Sequence, residues 1–169
     1  MSEFLGKYDI FPSIIPVDLQ TAQTGLRVPI ANATWATIVV FKAAGTAGDD
    51  PTFDVQQATA LTGGTIKDLD QVTAYYLKAE ATLEGDEAWT RTTQTAASEV
   101  IDPGGATTSA EEQQILVIEV NPATFDISGG FKFLSINCAD TGTNAQLGCA
   151  LVILRRAYAA APGSLLSTS

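Results

Sequence analysis

The stretch WATIVVFK, residues 35–42, carries the clearest secondary-structure signal in the chain. Nearly all of its residues are β-branched, aromatic or small, which favours a β-strand. One face of that strand would hold Trp35, Thr37, Val39 and Phe41, and the other Ala36, Ile38, Val40 and Lys42. Because both faces are largely apolar, the pattern predicts a central strand that is covered on both sides. In that position, truncating Trp35 or Phe41 should cost about 3–5 kcal/mol.

The rest of the chain repeats this rhythm of short apolar runs and turns. Further strands are predicted at residues 52–58, 72–81, 88–93, 113–120, 131–139 and 149–156. Turn-forming Gly, Asp and Pro residues lie between them, as in GTAGDDP (45–51), DPGG (102–105) and SGG (128–130). Strands of this length and spacing predict an antiparallel all-β sandwich or barrel.

Length and composition are those of one folded domain of 169 residues, 46% of them hydrophobic. We expect residues 1–12 to form an extended N-terminal arm or a first edge strand, residues 13–158 the β-sandwich, and residues 159–169 a flexible tail. No apolar run approaches the roughly 20 residues that span a bilayer, and the first residues lack a secretory signal pattern. We therefore expect no membrane partner, and a protein that stays where it is made.

The charge and the missing histidine argue against several functions. Nineteen acidic and nine basic residues give a net charge of −10, which repels phosphate backbones, so no nucleic-acid partner is expected. Without histidine the chain lacks the usual general base and the commonest metal ligand. We expect no enzyme activity, cofactor or metal site, although a chance pair of acids of the glycosidase kind stays open. Asp49 and Asp50 lack the alternating ligands of a calcium loop and are predicted to form a turn.

Cys138 and Cys149 are the two cysteines. Residues 140–148 between them resemble a hairpin loop, so their strands could lie side by side and a disulfide is geometrically possible. Synthesis in a cytosol favours reduced thiols instead, which would behave as small core hydrophobes.

The segment VVFKAAGTAGDDPT, residues 39–52, resembles a group of small structural proteins encoded among the head genes of tailed bacteriophages. Those proteins show an apolar strand, this Gly- and Asp-rich turn, and then a strand rich in Gln and Ala, here FDVQQA (53–58). Later segments agree in order: WTRTT (89–93), IEVNPATFD (118–126) with GGF (129–131), and GTNAQLG (142–148) before a strand ending in RRAY (155–158). The resemblance spans residues 35–158.

This resemblance implies a capsid decoration (cement) protein, a jelly-roll-like β-sandwich on the shell of the major capsid protein. The implied partners are the major capsid protein and further copies of the chain, as a dimer or trimer. The implied location is the capsid surface of the virion, after synthesis in the bacterial host cytoplasm. Neither catalytic nor cofactor-binding residues belong to such a role.

Three aromatic residues of the N-terminal arm, Phe4, Tyr8 and Phe11, are candidates for capsid or subunit contacts, because aromatic anchors dominate such interfaces. They could equally be core residues of an edge strand.

Two other functions remain as alternatives. One is a tail or connector protein of the virion; the other is a carbohydrate-binding jelly roll that uses exposed aromatic residues such as Tyr76 and Trp89.

Overall fold

A computed structural model describes residue 4, residues 6–104 and residues 110–157. In that part of the chain the protein is an all-β sandwich of two antiparallel sheets. The strands are β1 (Tyr8–Asp18), β2 (Val28–Pro29), β3 (Ala33–Lys42), β4 (Thr52–Ala58), β5 (Ile66–Asp68), β6 (Val72–Glu80), β7 (Thr90–Ala97), β8 (Glu99–Ile101), β9 (Gln113–Val120), β10 (Phe133–Cys138) and β11 (Leu147–Arg156). One 3₁₀ turn, Pro122–Thr124, follows β9.

The pairing of these strands is that of a jelly roll with an insertion. β1 pairs with β11, β2 with β10, β3 with β9 and β4 with β5, so the chain doubles back on itself as one long antiparallel ribbon. The ribbon rolls up because β11 also pairs with β3, and β10 with β4. Between β5 and β9, the inserted strands β6 and β7 widen one sheet, while β8 pairs with β4. The predicted jelly-roll-like sandwich is confirmed.

The core lies between a six-stranded sheet, β1-β11-β3-β9-β6-β7, and a five-stranded sheet, β2-β10-β4-β5 with β8 on β4. The inward side chains at its centre are at most 1% exposed; they include Ile38, Ile118, Val152, Phe53, Val55, Leu134 and Ile136. Every second residue of the central strands therefore contributes to one apolar layer, as the period of two requires.

The predicted strands match closely where the local pattern is strong. β4 and β9 have the predicted bounds, and β3, β6, β10 and β11 differ by at most two residues at either end. β7 begins two residues later than predicted and runs four further. β5 and β8 escaped prediction because three residues are too few to show alternation.

The N-terminal segment joins the sheet earlier than the predicted arm would allow. β1 begins at Tyr8 and pairs with β11, so residues 8–12 form an edge strand, one of the two alternatives. Register shifts after Pro12 and Ile14 mark bulges, which suits a proline-containing edge. The predicted tail, residues 159–169, lies outside the described residues.

The two cysteines lie in different sheets, Cys138 on β10 and Cys149 on β11. The predicted hairpin loop at residues 140–148 is wrong, because this segment crosses from one sheet to the other. Both thiols are free. Cys138 is buried in the core, whereas Cys149 lies on the outward side of β11 and is only partly buried.

β3 is central in the six-stranded sheet, as predicted, but the described residues cover only its inner face. Ile38 is fully buried there, while Phe41 on the other face is 51% exposed. The expected large cost of truncating Phe41 therefore does not hold. The strand has two apolar faces and one partner sheet.

Lys42 ends β3 on its inner face and is 1% exposed. Its Nζ donates hydrogen bonds to the carbonyl oxygens of Glu112 at 2.7 Å and Ala43 at 3.2 Å. Burial lowers the pKa of Lys42 to about 8, even though the Glu112 and Asp50 carboxylates oppose the shift. The ammonium group thus ties β3 to the segment that leads into β9.

The two faces of β3 should respond differently to truncation. Ile38→Ala should lower the free energy of unfolding by about 2–5 kcal/mol, because it opens a cavity in the core. Phe41→Ala should cost less than about 1.5 kcal/mol, since half of its side chain is already in water. Urea unfolding at submicromolar protein concentration measures both. Equal losses would mean that the outer face is covered as well.

Lys42 should also make stability depend on alkaline pH. The unfolded chain holds this proton up to its ordinary pKa of 10.5, whereas the folded protein loses it near 8, so unfolding takes up a proton in between. Stability relative to the matched variant Lys42→Met should therefore rise by about 2 kcal/mol between pH 7 and pH 10. Urea unfolding of both proteins across this range measures the difference. A stability difference that does not change with pH would show that Lys42 keeps an ordinary pKa in the folded protein.

Candidate functional site

The outer face of the six-stranded sheet is apolar across most of its width. Its central row runs through Pro12, Leu151, Val39, Val117 and Tyr76, each on a neighbouring strand. In an antiparallel sheet such opposed side chains on one face contact one another and form a continuous strip. We call the surface formed by this row and its two flanking rows the apolar face.

The flanking rows widen the strip on both sides. One row contains Ile10, Ile153, Thr37 and Glu119, and the other contains Cys149, Phe41, Ile115 and Lys78. The charged members, Glu119 and Lys78, come at the β9–β6 side of their rows. In these three rows, β3 in the middle of the apolar face and the strands β11 and β1 beside it therefore carry no charge.

Several of these side chains are well exposed. The exposed fraction is 51% for Phe41, 44% for Ile10 and 39% for Leu151, and Leu147 at the end of β11 reaches 62%. Single exposed apolar residues are common, but a contiguous set on one sheet face marks a contact surface.

The outer face of the five-stranded sheet is mostly polar by contrast, with Ile66 and Ile101 exposed on its short strands β5 and β8. There the Asn137 amide donates to Gln56 at 2.7 Å, and the Gln56 amide donates to Asp68 at 3.2 Å. This face has the ordinary pattern of an antiparallel sheet with one side in water. Only the six-stranded sheet departs from that pattern.

Two opposite charges flank the central strand of the apolar face. Arg155 lies on β11, and Glu119 lies on β9 in the adjacent row. They line one shallow depression together with Trp35 and Ile153. Neither forms an ion pair with any other residue that the structure describes.

The structure brings two of the three arm aromatics together. The rings of Phe4 and Tyr8 stack with centroids 5.1 Å apart, and Tyr8 lies beside Arg155 at the border of the apolar face. Phe11 points the other way, opposite Val152, and packs against the core. Capsid or subunit contacts by these residues stay a prediction, and the position of Phe11 favours its alternative role as an edge-strand core residue.

The aromatic pair of the carbohydrate-binding alternative is also brought together. Tyr76 and Trp89 line one depression with Val117 and Glu119. Lys78 places its Nζ 5.3 Å from the centre of the Trp89 ring, a cation–π distance. This corner lies at the end of the apolar face that the inserted strands provide.

The Gly- and Asp-rich segments of the phage resemblance meet at one end of the sandwich. The Asp49 carboxylate accepts hydrogen bonds from the backbone N–H of Asn144 at 3.0 Å and from its side-chain amide at 2.9 Å. Asp50 accepts one from the backbone N–H of Ala110 at 3.1 Å. Gly142 has φ +132°, and a Cβ there would lie 2.0 Å from Asp49 Oδ1. Both carboxylates thus bind loops far along the chain, while the local turn is closed by the hydrogen bond that the Asp49 N–H donates to the Thr46 carbonyl oxygen at 3.1 Å.

In residues 6–104 and 110–157, no group of three or more Cys, Asp or Glu side chains is arranged to hold a metal ion. No helix in that part of the chain is long and apolar enough to cross a membrane.

Sequence reasoning missed the apolar face because it assumed that two apolar strand faces imply two covering layers. A usable signal was present: β3, β9 and β11 are all apolar on both faces, whereas β4 and β10 alternate with polar residues. Three such strands beside one another predict a second sheet face that is largely apolar.

No protein-family model matches the chain, and no curated protein matches it. Among solved structures, the crystal structure of SPBc2 prophage-derived protein YomS is similar over 86% of this chain and 92% of that chain. The TM-score is 0.41 and the sequence identity is 7%. A likeness of this degree assigns neither a family nor a function.

Proposed function

We propose that the protein is a capsid decoration (cement) protein of a tailed bacteriophage, which binds the outer surface of the major capsid protein lattice and stabilises the head. The apolar face is the observation that carries the proposal. A largely apolar sheet face on a sandwich whose opposite face is mostly polar suits a subunit of a protein assembly. The resemblance of residues 35–158 to phage head proteins supports the particular assembly.

A cement protein stabilises its shell by mass action. Because it binds the assembled lattice and not the separate subunits, each occupied site lowers the free energy of the shell by RT ln(1 + [L]/Kd). The effect is small at one site and large when it is repeated over a whole head. A rigid sandwich suits this role, since little conformational entropy is lost on binding.

The contact residues of this proposal lie at the border of the apolar face and on the loops. Phe4 and Tyr8 form a stacked aromatic pair at the edge strand, which is the kind of anchor that dominates protein interfaces. The net charge of −10 favours a basic surface on the shell. Phe11 is left out, because it packs against the core.

Copy number tests the proposal. Purified virions should contain the protein in hundreds of copies, in fixed ratio to the major capsid protein, because every lattice position offers a site. Quantitative mass spectrometry measures that ratio. Six or twelve copies would instead support the connector alternative, a tube multiple would support the tail alternative, and complete absence from the particle would refute both virion roles.

Particles that lack the protein give a second test. They should lose their DNA at a lower temperature than complete particles, and addition of the purified protein should restore the difference. The paired variant Phe4→Ala/Tyr8→Ala should restore less at equal concentration, whereas Ile66→Ala, at an exposed apolar residue on β5 of the other sheet, should act like the unchanged protein. Equal thermal release with and without the protein would contradict a cement role.

The carbohydrate-binding alternative is favoured by one observation, the depression shared by Tyr76 and Trp89. Exposed aromatic rings with a nearby carboxylate can stack on a sugar ring and accept its hydroxyl protons. Binding to a glycan array tests this alternative, with the variant Trp89→Ala as the control for any binding signal. Binding that Trp89→Ala abolishes would favour the lectin role over the cement role, and an empty array would remove it.

A further inference from the structure

We propose that the apolar face pairs with the same face of a second copy of this chain, forming a two-fold symmetric dimer. The inference goes beyond the capsid role, because the pairing would form between free molecules in solution. The loops at the ends of the sandwich then remain available for the shell.

The size of the face argues for an occupant that is itself a sheet. Five strands about 4.8 Å apart span about 24 Å, and the apolar face together with the two rows that border it, at Leu147 and Arg155 of β11, spans about 27 Å along the strand. This corresponds to roughly 650 Å² on each copy, or roughly 1,300 Å² for two. Specific protein interfaces bury roughly 1,200–2,000 Å² in total, so two copies reach the range of a stable dimer. Stacked sheets pack face to face at about 10 Å.

The charges on the face select a two-fold axis that runs parallel to β3. Arg155 on β11 and Glu119 on β9 lie on opposite sides of that strand, one row apart. The axis exchanges the two sides, so Arg155 of each copy approaches Glu119 of the partner subunit. Two equivalent contacts of opposite charge result, and they join residues that have no ion-pair partner among the described residues of their own chain.

The same axis places the uncharged middle of the face at the centre of the interface. Val39 and Phe41 on β3 lie along the axis, so each packs near its own counterpart. Leu151 on β11 packs over β9 of the partner subunit. Apolar contacts thus lie inside and charged contacts at the border, which is the usual arrangement of a protein interface.

Sedimentation equilibrium of the purified full chain tests the dimer. The unchanged protein should be a dimer at micromolar concentration. Leu151→Asp and Leu147→Asp should each raise the dimer dissociation constant at least about 100-fold, because each places two carboxylates in an apolar interface. Ile101→Asp is the matched control, since Ile101 is 64% exposed, like Leu147 at 62%, but lies on β8 of the other sheet. Circular dichroism and thermal unfolding confirm that all three variants are folded.

A charge-reversal pair tests the symmetry. Arg155→Glu and Glu119→Arg should each weaken self-association at least about tenfold, because each puts like charges opposite one another. An equal mixture of the two variants should dimerise again, since the heterodimer pairs Glu at 155 with Arg at 119 and Arg155 with Glu119. An effect within one chain could not be rescued by mixing.

The outcomes are decisive in both directions. A monomeric unchanged protein, or a dimer that Ile101→Asp disrupts and Leu151→Asp does not, would overturn the proposal. Failure of the mixed variants to associate would overturn the axis along β3. None of these results depends on the virion: a monomer found in hundreds of copies per head refutes the dimer alone, and a dimer absent from heads refutes the cement role alone.

Discussion

The structure depends on the register of β3 between β11 and β9. Because side chains alternate, the pairing that puts Ile38 into the core also puts Val39 opposite Leu151 on the outer face. A slip of one residue would exchange the two faces. Both faces of these strands are apolar, so hydrophobicity alone specifies the register weakly. The specific constraint comes from the end of the strand, where Lys42 pairs with Gly148.

That end of the sandwich tolerates only one register. The Lys42 ammonium reaches carbonyl oxygens of the segment before β9, and a slip of the strand would break these hydrogen bonds. Gly148 packs so closely against Leu19 that a Cβ would lie 2.6 Å from its side chain. The hydrogen bonds between Asp49 and Asn144 hold the neighbouring loops in place. The Gly- and Asp-rich segments thus align the strands whose outer residues form the apolar face.

Features that depend on local alternation could be predicted from the sequence, and features that depend on long-range pairing could not. The bounds of β4 and β9 follow from local alternation, and the two sheets follow from the number of such strands. The sheet assignment of Cys138 and Cys149 does not, because the jelly roll sends adjacent strands to different sheets, while proximity in sequence suggests a hairpin. The direction of Phe11 depends on β1 pairing with β11 across almost the whole chain. The exposure of Phe41 depends on the absence of a third layer from the described fold, which no local pattern reports.

An exposed apolar face leads to aggregation unless association stops at a defined size. The edges of the six-stranded sheet limit this association. β1 at one edge carries Pro12 and Pro16 and two register shifts, which interrupt the backbone donors that another strand would need. β7 at the other edge is rich in Thr and carries the exposed charge of Arg91. With edge pairing disfavoured, contact through the faces is the remaining mode, and a two-fold face contact closes on itself. The net charge of −10 then repels further copies. One apolar face and two edges that disfavour strand pairing are therefore the combination that the proposed two-fold dimer requires.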